Sequence, residues 1–211
     1  RMAVPGPYSP DTASAGRRSL RNVALDLLAA VGTPEAIARA AKQYDAADNM
    51  TDRMAALATL SLHAGAERER ALGDFYARFA DNALVIDKWF SLQAMIPEPD
   101  ALDKIRALTG HAAFSFANPN RVRALIGAFA ANTTQFNRAD GAGYGFIADN
   151  VLALDPRNPQ LAARLATAFR SWRTMEESRR TKAQAALTLI KDAPNLSRDL
   201  ADIVERALAP A

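Results

Sequence analysis

The sequence predicts an all-α protein, an α-α superhelix of stacked antiparallel helix pairs of the ARM or HEAT type. Three observations predict it. Apolar residues recur at helical spacing almost throughout, helix start and stop residues punctuate those stripes, and one block recurs after 33 residues. No segment sustains a period of two with β-branched enrichment, so strands are not expected. The implied organisation is an irregular N-terminal segment over 1–14 and a helical-repeat domain over 15–211.

The stripes run in order. Leu20, Val23, Ala24, Leu27 and Val31 make the first, and Ile37, Ala40, Ala41 and Tyr44 the second. Met50, Met54 and Leu57 begin a third, and Leu72, Phe75 and Phe79 form a fourth. Val85, Trp89, Leu92 and Ile96 are widened by Ile86 and Phe90, which marks that helix as central. Val122, Leu125, Ile126 and Phe129 follow, then Leu161, Leu165, Phe169 and Trp172. Ala183, Ala186, Leu187 and Ile190 precede a last stripe of Leu200, Ile203, Val204 and Ala207.

Capping residues agree with the stripes. Thr33-Pro34-Glu35 sets a hydroxyl cap, a proline at the first helical position and an acid at the positive end of the helix dipole. Asn118-Pro119 and Asn158-Pro159 use an asparagine in the same way, and Asn49 with Asp52 resembles a capping box. Gly32, Gly65 and Gly110 fall where helices stop, which suits a left-handed terminating residue. The repeat carries Ala47-Asp48-Asn49 onto Ala80-Asp81-Asn82 and Gly32 onto Gly65. It also sets Val23, Ala24 and Leu27 against Ala56, Leu57 and Leu60, as expected of a stacked helix-pair array. The least regular stretch is 131–158. Its Gly141, Gly143 and Gly145 lack the spacing, the preceding strand and the Gly-Lys-Ser/Thr of a phosphate loop, so a close approach of two helices is expected there.

Composition narrows the chemistry. Apolar residues make up 49% and charged residues 23% of 211, which suits a globular chain with a buried core. The absence of cysteine excludes disulfides and thiolate metal sites and favours a cytoplasmic setting. No apolar run is long enough to span a bilayer, and Arg1–Pro10, with Pro5, Gly6, Pro7 and Pro10, has no signal-peptide core. A first residue that is arginine suggests a chain that begins partway through something longer. His63 and His111 are the only histidines, with no H-E-x-x-H, so no metal site and no catalytic residues are expected in this chain. They read as surface or capping residues. Several acids have a base at helical spacing, as Glu35 has Arg39.

Binding is the chemistry that remains. Net charge is +3, and Arg157, Arg164, Arg170, Arg173, Arg179, Arg180, Lys182 and Lys191 face only Glu176 and Glu177 over 157–191. That stretch reads as a solvated face. Nucleic-acid binding through it is disfavoured because Phe169 and Trp172 lie on the core stripe and leave no stacking platform. Off the core stripes, Arg123, Gly127 and Ala131 share one strip, and Gln160, Arg164 and Ala168 share another. Small neighbours leave an arginine room to reach a carboxylate or carbonyl; bracing of adjacent helices is the other reading.

Some blocks also carry a resemblance. Asn49-Met50-Thr51-Asp52, the run from Val85 to Phe90 with Gln93-Ala94, and the block from Asn118 to Leu165 resemble the C-terminal domain of bacterial aminopeptidase N. The likeness extends from about Pro7 to Leu208. It implies a helical domain that caps the catalytic domain of a zinc metallo-aminopeptidase of the thermolysin-like class, encloses its active-site chamber and helps hold peptide. The zinc ligands and catalytic residues would lie upstream, so this chain would bind no cofactor of its own. Its partners would be that upstream catalytic domain and the peptide substrate, without nucleic acid or membrane. Carried over residue by residue, Arg123, Arg164 and Gln160 fall on the inner wall of the chamber, with Arg121 far round the helix from Arg123. The alternative is a free-standing helical-repeat scaffold for a protein partner.

Overall fold

The computed structural model describes residues 8–210, and every regular element among them is helical. The proline-rich opening over 1–7 lies outside the described residues. Helix α1 (Thr12–Ala29) starts within the segment expected to be irregular, because Asp11 caps it by accepting the Ser14 N–H at 2.9 Å. The chain divides into two compact units, Arg1–Leu92 and Gln93–Ala211.

The first unit holds α1, α2 (Pro34–Ala46), α3 (Met50–Ser61), α4 (Ala66–Phe79) and α5 (Ala83–Ala94), which ends just past its boundary. The repeat of 33 is structural: it carries α3 onto α5 residue for residue and α2 onto α4 within one position. Its punctuation has the same function each time. Asn49 accepts the Asp52 N–H at 3.0 Å and Asn82 accepts the Val85 N–H at 3.3 Å, each opening the second helix of a pair. The Asn49 amide also donates back to Asp52 at 2.9 Å, which closes a reciprocal cap. Gly32, at φ 72°, takes the left-handed conformation between α1 and α2. Gly65 instead stands as the N-cap of α4 at φ 142°, and Gly110 has an ordinary φ of −91°. Tyr44, Ala56, Leu57, Leu60, Phe75, Ile86 and Phe90 are buried where the stripes place them.

Helix α1 departs from its stripe. Leu20, Val23, Leu27 and Val31 are 60%, 54%, 68% and 74% exposed, while Ser14, Arg18, Leu25 and Ala29 are buried. Polar chemistry holds the inward side. Arg21 and Asn22 bond Asp52 on α3, Asn22 accepts from Gln43 on α2 at 2.8 Å, and Asp26 accepts the Thr59 hydroxyl at 3.1 Å. Periodicity identified an apolar face but not which side its neighbours occupy.

The second unit holds α6 (Ala101–Thr109), α7 (Pro119–Val122), a π segment (Arg123–Gly127), α8 (Ala128–Ala131) and α9 (Thr133–Phe136). It continues with α10 (Ala142–Leu154), α11 (Pro159–Ala166), a 3-10 segment (Thr167–Thr174), α12 (Glu177–Lys191) and α13 (Arg198–Leu208). Two helices thus lie inside the stretch read as least regular. Helix α10 buries Tyr144, Phe146, Ile147, Ala148, Asn150, Val151 and Leu154, so it is apolar nearly all round and gives no amphipathic signal. It approaches α9 closely at Gly143, where a Cβ would stand 2.3 Å from the Gln135 carbonyl oxygen. Phe136, Tyr144 and Phe169 then meet as a ring cluster with centroids 5.1 to 5.9 Å apart.

Candidate functional site

Two interrupted helices build the site. Asn118 caps α7 through its side chain, with Pro119 at the first position. The winding then loosens, and the Ala128 N–H donates to the Arg123 carbonyl five residues back. Asn132 stops that helix and starts α9. Its amide donates to the carbonyls of Ala94 and Ile96 at 3.1 and 2.9 Å, and its oxygen accepts the Gln135 N–H. Opposite, Asn158 caps α11 at the Leu161 N–H, and the winding tightens to 3-10 from Thr167.

Between these walls lies a cavity of about 560 Å³, a size that suits a small ligand. Val122, Phe136, Leu161 and Leu165 supply apolar surface, while Arg123, Arg164, Arg170, Thr133 and Ser171 supply polar groups. All three arginines are exposed. Among the described residues none of them has a carboxylate within ion-pair distance; Arg123 donates to the Asn120 side-chain oxygen at 3.0 Å. Asn137 is already engaged, donating to the Thr133 carbonyl and accepting the Tyr144 hydroxyl, both at 3.0 Å. Three guanidinium groups beside apolar surface, without a counter-charge, suit an anionic group on a partly apolar body. A carboxylate accepts two parallel N–H bonds from one such fork.

The two strips legible in the sequence meet here. Arg123, Gly127 and Ala131 line one side, and Arg164 and Ala168 line the other. Gln160 is exposed one turn ahead of Arg164 and does not line the cavity. Arg121 is 7% exposed, packed within the fold and outside the lining. Sequence reasoning missed Arg170. Six residues of α-helix would set it about 120° from Arg164, but 3-10 winding from Thr167 brings the two within roughly 40°. A weak signal exists in Thr167, whose hydroxyl turns back to the Arg164 carbonyl at 2.6 Å.

Three other basic residues hold main chain rather than forming a purely solvated face. Arg173 donates to the carbonyls of Ala207 and Ala209 and stacks 4.5 Å from the Trp172 ring centre. Arg179 donates to the Asn137 carbonyl at 2.6 Å, and Lys182 donates to that of Ala139. Glu35 and Arg39 are both exposed, and no ion pair joins them among the described residues. His111 accepts the Ala113 N–H at 3.1 Å in a local turn. Among the described residues no three acids or histidines are grouped to hold a metal ion. No described helix is long and apolar enough to cross a membrane.

Fold and cavity together define an all-α repeat protein with an arginine-lined cavity. A family described as "Domain of unknown function (DUF3458_C) ARM repeats" matches residues 1–209, and the chain belongs to it. It is 40% identical over 208 residues to the aminopeptidase N of Caulobacter vibrioides, covering 98% of this chain and 24% of that protein. Against the Escherichia coli aminopeptidase N it is 38% identical over 203 residues, covering 96% and 23%. Among solved structures, Legionella pneumophila aminopeptidase A in complex with aspartic acid matches at 30% identity and a TM-score of 0.90, over 99% of this chain and 25% of that one. The chain therefore spans about a quarter of the length of these relatives, and it corresponds to the C-terminal part of aminopeptidase N. The resemblance read from the Asn49, Val85 and Asn118 blocks is borne out.

Proposed function

We propose that this chain is the non-catalytic substrate wall of a zinc aminopeptidase, and that its arginine cavity holds the carboxylate end of a short peptide. The observation that carries the reading is the set of Arg123, Arg164 and Arg170 around one cavity, with no described carboxylate to neutralise them. Arg164 and Arg170 supply forks for the carboxylate, and Arg123 adds a third positive charge. Thr133 and Ser171 offer hydroxyls, and Val122, Leu161 and Leu165 take apolar side chains. The chain's contribution is binding, orientation and exclusion of bulk water, which strengthens charge contacts inside a closed chamber.

Zinc supplies an activated water in such enzymes, and here it would be held by residues outside this chain. The partners are the catalytic domain of the same polypeptide and the peptide itself, in a cytoplasmic setting. The relatives' additional length favours this reading over a free-standing scaffold, and the backbone bonds of Arg173, Arg179 and Lys182 weigh against a nucleic-acid face.

The test uses the full-length enzyme. Replacing Arg164 and Arg170 together with alanine is expected to raise KM for di- and tripeptides about tenfold or more, by loss of charged hydrogen bonds. Turnover of chromogenic amino-acid amides stays unchanged. Equal losses on both substrate types would overturn the proposal.

A further inference from the structure

The outward side of α1 has the composition of a core. Leu20, Val23, Leu27, Leu28 and Val31 are each more than half exposed, at 60%, 54%, 68%, 53% and 74%. At about 100° per residue the four within α1 fall in one arc of roughly 140°, and Val31 follows in the turn just after the helix. The opposite side, with Arg18, Leu25 and Ala29, is already buried within the first unit.

The repeat identifies what this side is built to meet. Shifted by 33, Val23, Ala24 and Leu27 become Ala56, Leu57 and Leu60 of α3, all at 0% exposure. Shifted again, Val23 and Ala24 become Trp89 and Phe90 of α5, at 7% and 0%. In register, α1 is thus the second helix of a pair. Helix α3 packs on its own first helix, α2, and the same relation would give α1 a first helix over 1–13. Among the described residues of that stretch, 8–11 lie outside any helix and Thr12 and Ala13 belong to α1 itself, so a first helix of α2's length does not fit there.

The last helix is finished differently. On α13, Leu200 and Val204 are buried, while the exposed side is Arg198, Asp199, Asp202, Glu205 and Arg206, with Arg206 paired to Asp202 at 2.9 Å. A charged outer side is how a terminal repeat ends against water, whereas Arg17 is the one charged residue in the outward arc of α1.

We infer that the apolar side of α1 is an internal repeat interface, covered in the longer polypeptide by an amphipathic helix of the α2 and α4 kind lying directly ahead of residue 1. The relatives fit this occupant: they match the chain by their C-terminal part and are about four times as long, so they carry polypeptide at that place. The inference rests on the family and the repeat register, and it stands or falls independently of the arginine cavity.

The experiment is site-specific photo-crosslinking in the full-length polypeptide. A benzophenone amino acid is placed at Leu27, with the same group at Glu205 on α13 as control. The expected result is a cross-link within one chain, mapped by mass spectrometry to a single helix immediately upstream of residue 1, at a yield at least tenfold above the control. As a second reading, Leu27→Ser speeds hydrogen exchange of the α1 amides about tenfold in the full-length chain. Cross-links between two copies, cross-links to a non-helical part of the enzyme, or a yield no higher than at Glu205 would each overturn the inference.

Discussion

Each unit has a concave surface bearing arginine, and the two differ in what stands beside it. In the first unit, Ala38, Ala41, Lys42, Asp45, Ala46, Glu67 and Arg70 line a groove of about 610 Å³. Arg70 grips Asp45 through two bonds, at 2.9 and 3.2 Å, and Glu67 at 3.1 Å. Arg21 is likewise held by Asp52, and Arg78 by Asp74 at 2.6 Å. In the second unit Arg123, Arg164 and Arg170 share a cavity with no carboxylate among the described residues. An adjacent acid turns an arginine into a brace, and its absence leaves the fork for a ligand. Cavity size does not make the distinction, because the two are of similar volume, about 560 and 610 Å³.

The largest expected effect breaks the second cavity at its support. Gly143→Ala drives a Cβ onto the carbonyl oxygens of Gln135 and Phe136, at 2.3 and 2.4 Å, and displaces the α9 wall. A loss of about 3 kcal/mol, read from the urea midpoint, is the expected outcome. Next comes the first unit's buried brace. Burial works against the charge on Asp52, but hydrogen bonds from Asn49, Arg21 and Asn22, with the Arg21 charge, outweigh it and hold its pKa below the usual range. A carboxylate whose pKa is lower folded than unfolded adds stability that is complete above the unfolded value and is lost as pH falls. Asp52→Asn is thus expected to cost about 2 kcal/mol at pH 7 and much less at pH 3, with denaturation curves at the two pH values as the check.

Arg70→Ala sharpens the contrast from the other side. Its partners are roughly half exposed, so stability falls by less than about 1 kcal/mol, and peptide KM in the full enzyme does not change. The smallest effect has the opposite sign. Gly73 lies inside α4 with nothing within 4 Å of a built Cβ, so Gly73→Ala is expected to raise stability by up to about 1 kcal/mol in the same urea measurement.

Local rules made much of this legible from the sequence. The caps at Thr33, Asn49, Asn118 and Asn158 form as read, and the repeat aligns α3 with α5. The strips through Arg123 and Arg164 meet at one cavity although π winding interrupts the first and 3-10 winding the second. What remained hidden depends on long-range placement or irregular winding. Arg170 reaches the cavity through a 3-10 turn, α10 is too uniformly apolar to show a period, and the outward side of α1 looks like any core stripe. Gln160 and Arg121 share helices with cavity residues, yet one stands a turn too early and the other is packed into the fold.

The central claim is that the second-unit arginines read a peptide carboxylate. Its most direct measurement compares, in the full-length enzyme, a tripeptide with its C-terminal amide, before and after Arg164→Ala with Arg170→Ala. Carboxylate binding by these arginines predicts at least about a tenfold preference in kcat/KM for the free carboxylate in the unaltered enzyme, falling close to one in the double variant. The same ratio in both enzymes would contradict it.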